Sequence, residues 1–155
     1  MLKYNLSQID TISKKIISNM SNTDCIFLFG ELGSGKTTFT RSLINQLQEK
    51  SKVNKTEVLS PTFNLLHEYE IKPFKVMHYD LYRLEGEKDI DQLGIFENSE
   101  NVVTVIEWPE KIKKSIENRL EISFYYESES EFEVESRKVN FKGYGKWKNF
   151  EINEI

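Results

Sequence analysis

The sequence predicts an α/β fold: a mixed sheet with parallel core strands and antiparallel additions, flanked by helices. Three observations carry this. An apolar run, Cys25-Ile26-Phe27-Leu28-Phe29, feeds a glycine-rich turn, and the turn opens a segment with Phe39, Leu43, Ile44 and Leu47 at helical spacing. A second unbroken aliphatic run, Val102 to Ile106, has the composition of a strand buried on both faces of a parallel sheet. Strand-like segments pair around these, 63–70 with 74–79 and 119–126 with 132–141. The glycine-rich turn reads Gly30-Glu31-Leu32-Gly33-Ser34-Gly35-Lys36-Thr37, a complete G-x-x-x-x-G-K-[ST], which makes the expected sheet P-loop NTPase-like.

Taken in order, Ser7 is placed to cap a helix over 8–20 whose apolar stripe is Ile9, Ile12, Ile16, Ile17 and Met20. The strand 25–29, the glycine loop and a helix over 38–50 follow. Residues 51–57 form a polar, basic connector, and Val58-Leu59 leads into Ser60-Pro61-Thr62. Strands 63–70 and 74–79 make a hairpin around Ile71-Lys72-Pro73. A short helix is expected near 87–93, then strand 102–106, then a short helix over 109–116. The pair 119–126 and 132–141 closes the domain. The tail, 144–155, is either a last short helix or loose. No repeat or dividing linker interrupts residues 1–155, so a single domain is expected.

In the loop, each position has a physical role. Gly30, Gly33 and Gly35 permit backbone angles that a Cβ would block, so main-chain N–H groups can converge on one anion ahead of a helix. Lys36 supplies a point charge for outer phosphates, and the Thr37 hydroxyl is the expected Mg²⁺ ligand. The predicted ligand is a nucleoside triphosphate or a close relative.

Bulk properties set bounds. With 38% hydrophobic residues, 10 Phe and 7 Tyr, the chain can build a core, which excludes the disordered class. The net charge of -4 gives no global basic field, so DNA is not an expected partner. Cys25, the single cysteine, lies in a predicted strand and reads as a small core residue; no intrachain disulfide is possible, which fits a reducing compartment. No apolar run is long enough to span a bilayer and no signal peptide is apparent, so a cytoplasmic location is expected.

Hydrolysis needs carboxylates at the ends of neighbouring strands. Asp80 follows the strand 74–79 within His78-Tyr79-Asp80-Leu81-Tyr82-Arg83, and Glu107 follows 102–106 within Glu107-Trp108-Pro109. Ser60-Pro61-Thr62 is either a loop that senses the outer phosphate or a proline turn with a capping hydroxyl. Arg83 either neutralises charge on a phosphoryl group or forms a surface salt bridge. Trp108 either stacks on a base or packs in the core. His67 and His78 have no metal-ligand spacing and read as structural. Glu127, Glu129, Glu131, Glu133 and Glu135 share one face of an extended segment, most simply a solvated strand face, otherwise a cation site or a docking strip for a basic partner.

These segments together resemble the TsaE (YjeE) family: Gly30 to Phe39, Ser60-Pro61-Thr62-Phe63, His78-Tyr79-Asp80-Leu81-Tyr82-Arg83-Leu84, Gly94-Ile95 and Glu107-Trp108-Pro109-Glu110. The resemblance runs from about residue 5 to 140, and the H-x-D-L-Y-R and E-W-P elements make it specific. It implies a small ATPase of bacterial tRNA threonylcarbamoyladenosine modification. Mg²⁺ and ATP are its expected cofactors. TsaD- and TsaB-type proteins are its expected partners, and tRNA is reached through them. Lys36, Asp80 and Glu107 are implied as catalytic; Gly33, Ser34, Gly35, Lys36, Thr37, Thr38, Thr62 and Trp108 as nucleotide-binding; Thr37, Asp80 and Glu107 as metal-binding. Weaker similarity places Ser7, Gln8 and Thr11 near the nucleotide. ATP over GTP rests on the resemblance, although no N-K-x-D tetrad is present. Two other readings stay open: a nucleotide-gated assembly module without essential hydrolysis, and a small-molecule kinase, which would need an arginine-bearing lid where Arg41, Arg83, Arg119 and Arg137 are instead scattered.

Overall fold

A computed structural model of the chain describes residues 1–95, 97, 100–114, 116–127 and 136–155. Seven strands form one sheet: β1 (Leu2–Tyr4), β2 (Cys25–Phe29), β3 (Leu66–Glu70), β4 (Lys75–Asp80), β5 (Val102–Glu107), β6 (Arg119–Glu127) and β7 (Ser136–Tyr144). Their order is β1-β7-β6-β2-β5-β4-β3. The four central strands, β6, β2, β5 and β4, run parallel; β3 is antiparallel to β4, and β7 and β1 extend the other flank antiparallel. The expected mixed sheet is therefore present.

Alternation in the central strands feeds two apolar layers. Ile26 and Leu28 of β2, Val103 and Val105 of β5, and Leu120 and Ile122 of β6 pack on one face with α1 (Ile9–Ile17) and α2 (Lys36–Lys50). Cys25 and Phe27, Val102 and Ile106, and Met77 and Tyr79 pack on the other with Ile90 of α3 (Glu87–Gln92). A strand buried on both faces needs no polar alternation, which is why these runs are apolar throughout. The Ser42 hydroxyl donates to Asp10 Oδ1 at 2.6 Å and lies 2.8 Å from Ser13 Oγ, joining α2 to α1. Because Ser42 spends its proton on the carboxylate, Ser13 donates in that second bond.

Several expected elements differ. Asn5 precedes the first helical turn: its N–H donates to Gln8 Oε1 at 2.9 Å, and Ser7 donates its hydroxyl to Asn5 Oδ1. The turn 6–8 is 3-10, and α1 stops at Ile17, short of Met20. β3 starts at Leu66 rather than Phe63, because residues 62–64 turn and Leu65 takes a left-handed φ of 65°. Of the helix expected over 109–116, residues 109–111 form a 3-10 turn and no other described residue is helical. β7 runs three residues beyond 141, whereas 132–135 fall outside the described residues. The acidic strip also lies outside them, apart from the Glu127 backbone that closes β6. The tail is anchored: Trp147 is buried, and its ring meets Phe150 at 5.1 Å. Among the described residues no helix is long and apolar enough to cross a membrane.

Candidate functional site

β2 ends at Phe29, and the chain turns through Gly30 (φ 139°), Gly33 (φ 80°) and Gly35 (φ 114°) before α2 begins at Lys36. At Gly30 a Cβ would stand 2.6 Å from Ser34 Oγ and 2.7 Å from the Phe124 carbonyl, so the position has neither the angle nor the room for a side chain. The first turn of α2 carries no acidic residue. Its exposed N–H groups and dipole face an open cleft of about 180 Å³.

That cleft is lined by Leu32, Gly33, Gly35, Lys36, Thr37 and Thr38 from the loop and helix, Ser60 and Thr62 from the loop before β3, Asp80, Tyr82, Glu107 and Trp108 from the ends of β4 and β5, and Arg137 from β7. Asp80 and Glu107 are register partners, the last residues of adjacent parallel strands. Strand ends at the same level present both acids to the same crevice. Both are buried. Thr37 Oγ1 donates to Glu107 at 2.9 Å (Oε1) and 3.2 Å (Oε2). Thr62 Oγ1 donates to Asp80 Oδ2 at 2.7 Å and lies 2.7 Å from Ser60 Oγ. The Tyr82 N–H donates to Asp80 Oδ1 at 2.9 Å.

Lys36 is 5% exposed and donates to the carbonyls of Gly30 at 2.6 Å and Glu31 at 2.9 Å. Its ammonium lies 4.1 Å from the centre of the Trp108 ring, a cation–π contact. Burial lowers its pKa from the usual 10.5, against the pull of Glu107, Asp80 and Glu110. Trp108 itself has left-handed angles (φ 61°, ψ 48°), uncommon for a non-glycine residue, and its ring packs on Tyr82 at 4.9 Å. It walls the cleft and, partly buried, also packs against the second apolar layer.

The sequence-predicted residues Gly33, Gly35, Lys36, Thr37, Thr38, Thr62, Asp80, Glu107 and Trp108 all line this one cleft. Ser34 does not; its buried side chain borders a larger hollow of about 540 Å³ behind the loop, with Phe124, Tyr125 and Tyr126. That hollow has neither a cation nor paired acids in its wall. Ser7, Gln8 and Thr11 do not line the cleft either. Arg83 is not among the residues that line the cleft. Its Nε and Nη2 donate to the carbonyls of Thr62 (2.8 Å) and Phe63 (2.7 Å), which pins the loop bearing Thr62.

Sequence reasoning undervalued two residues. His78 is fully buried, yet its Nε2 lies 2.9 Å from Glu107 Oε1. An ionised carboxylate only accepts, so Nε2 carries the proton in that bond. Arg137 reaches the loop from a distant strand. The signal for His78 was its place two residues before Asp80 on a strand beside β5; Arg137 gave no local signal. Among the described residues no three His, Cys, Asp or Glu side chains converge as a ready-made metal cage.

Comparison with known proteins identifies the family. The family model "Threonylcarbamoyl adenosine biosynthesis protein TsaE" matches residues 4–139. A tRNA threonylcarbamoyladenosine biosynthesis protein TsaE from Bacillus subtilis is 31% identical over 132 residues, 84% of this chain and 79% of that one. Its counterpart from Rickettsia felis is 37% identical over 113 residues, 73% of this chain; the match spans 64% of that relative's own length. Among solved structures, the crystal structure of Bacillus subtilis YdiB superposes with a TM-score of 0.65 at 25% identity, covering 93% of this chain and 86% of that one. The glycine loop, the acids at 80 and 107 and the whole central sheet fall inside the matched span, and the chain belongs to the TsaE family of tRNA threonylcarbamoyladenosine biosynthesis proteins.

Proposed function

We propose that the chain binds Mg-ATP in this cleft and hydrolyses it slowly, in support of tRNA threonylcarbamoyladenosine formation together with TsaD- and TsaB-type proteins. One observation carries the reading: the hydroxyl of Thr37, at the start of a helix behind a glycine loop, touches the carboxylate that ends β5. A helix N-terminus without acids in its first turn, a buried lysine and two buried acids together match a triphosphate bearing a hard cation.

The donor set fits magnesium. Thr37, Glu107 and Asp80 offer hard oxygens, and Mg²⁺ takes one or two carboxylates with substrate phosphates and water rather than a full protein cage. The lack of a three-ligand cluster among the described residues suits a metal that arrives with its nucleotide. When bound, the ion would neutralise phosphate charge and ease departure of the diphosphate.

The chain's own groups do the rest. Lys36 exchanges the carbonyls of Gly30 and Glu31 for phosphate oxygens. Loop N–H groups hold the remaining oxygens. Asp80 and Glu107 orient the attacking water, with His78 fixing the Glu107 carboxylate and Thr62 bridging Asp80 to the loop that Arg83 pins. Trp108 and Tyr82 limit access of bulk water to the cleft.

The test is calorimetric titration with Mg-ATP, followed by phosphate-release assays of the chain alone and with the partner proteins and tRNA. Binding with slow basal turnover that the partners accelerate is expected. Failure to bind Mg-ATP overturns the reading. Assembly that needs ATP but survives Glu107→Gln would favour the nucleotide-gated module instead.

A further inference from the structure

The cleft is flanked on both sides of β2. Asp80 and Glu107 come from β4 and β5 on one side; Arg137 comes from β7, two strands away on the other. Its guanidinium lies close against the loop: a Cβ on Gly35 would stand 2.8 Å from Arg137 Nη1. Gly35 is the residue immediately before α2. A cation there faces the positive end of a helix dipole, beside Lys36, in a first turn without acids.

The placement of Arg137 is built into the sheet. On β7 it pairs with Tyr4 of β1 on one side and Tyr126 of β6 on the other. Its guanidinium carbon is 5.9 Å from the Tyr126 ring centre. The same hypothetical Cβ on Gly35 would lie 3.6 Å from the Tyr4 hydroxyl, so phenol and guanidinium meet at the loop. Tyr4 is buried; burial raises its pKa, and the nearby Arg137 charge pulls it the other way. Val139, two residues along β7, sits fully buried on the same face in the layer that holds α2, which fixes the direction in which Arg137 projects.

We propose that Arg137 is a phosphate-binding residue of the nucleotide cleft, held in place by Tyr4 and reaching the anion from the flank opposite the two carboxylates. This rests on the assignment of the cleft to a nucleoside triphosphate. It gives the antiparallel strands β1 and β7 a part in ligand binding that the loop motif alone does not contain. A guanidinium offers a planar fork of donors to phosphate oxygens, which a lysine at the same place does not reproduce.

The test measures Mg-ATP and Mg-ADP affinity for wild type, Arg137→Ala, Arg137→Lys and Tyr4→Phe, with circular dichroism and melting curves to confirm folding. Arg137→Ala is expected to weaken both nucleotides at least tenfold and to flatten the salt dependence of binding. Arg137→Lys should recover only part of the loss, and Tyr4→Phe should cost a few-fold. A second measurement needs no variant. Phenylglyoxal should modify Arg137 more slowly when wild type is saturated with Mg-ATP, with Arg119 as the unprotected control. Wild-type ATP binding with unchanged affinity in Arg137→Ala, or equal phenylglyoxal modification with and without nucleotide, overturns the inference and leaves the ATPase reading standing. No ATP binding by wild type overturns both.

Discussion

Thr37 Oγ1 and Glu107 Oε1 are 2.9 Å apart, a bond between the first turn of α2 and the last residue of β5. Glu107 Oε1 is held from a second side by His78 Nε2, also at 2.9 Å. The carboxylate is thus fixed before any ligand enters. Glu107→Gln keeps the shape but loses the charge and one acceptor. Nucleotide binding should persist within a few-fold, whereas turnover should fall at least tenfold, about 1.4 kcal/mol or more of transition-state stabilisation. Calorimetry and phosphate release on the same preparation separate the two quantities; unchanged turnover would reduce Glu107 to a structural anchor.

Lys36→Ala should abolish Mg-ATP binding in the same titration, since it removes the buried ammonium from the wall of the cleft. Its lowered pKa has a signed consequence for pH. Below the folded value the ammonium is charged in both folded and unfolded chains, and the cost of burying it is complete. As pH climbs from the folded value to 10.5, the unfolded chain binds more protons, so this group's contribution makes stability rise with pH. Affinity for an anion should fall across the same window. The ¹³C resonance of the Lys36 side-chain Cε should titrate below 10.5 in the free protein and move upward once Mg-ATP is bound.

Thr62→Val removes a hydroxyl of nearly equal size and leaves Asp80 Oδ2 without its 2.7 Å donor. The expected cost in stability is about 1 kcal/mol. Turnover should drop further than affinity if the loop 60–63 aligns Asp80 for reaction. Thr62→Ser should restore most of it. Equal kcat in Thr62→Val and wild type would assign this hydroxyl to loop shape alone.

Burial raises the Cys25 thiol to about 12 from the usual 9.0. Between those values the folded chain holds the proton that the unfolded chain loses, so stability contributed by this group declines as pH rises from 9.0 to about 12. At pH 8 iodoacetamide should leave native Cys25 unmodified, with or without ATP, and label it fully in denaturant. Mass spectrometry reads the result; rapid native labelling would contradict its place in the second apolar layer.

The parts of the site that were readable in advance share one property: their signals are local. The strand, loop and helix at 25–50 are contiguous, and Asp80 and Glu107 each close a strand-like segment. The rest depends on pairing between distant segments. β1 is too short for any periodicity, yet it places Tyr4 opposite Arg137. Arg83 was ambiguous because its partners are main-chain carbonyls, which carry no side-chain signature. The left-handed turn at Trp108 is equally invisible, because a residue type other than glycine rarely announces that angle. Phe63, expected in a strand, stays exposed because the chain is still turning there.

The strand that delivers the glycine loop is bordered on one side by Thr104 and on the other by Arg119, so Cys25 acquires its second neighbour only after most of the chain has been synthesised. Such far-separated parallel pairing is slow to form and leaves β2 as an open edge in any nascent or truncated product. A ribosome stalled before β6 would therefore carry a complete signature motif on an unclosed sheet: a substrate for chaperones and proteases.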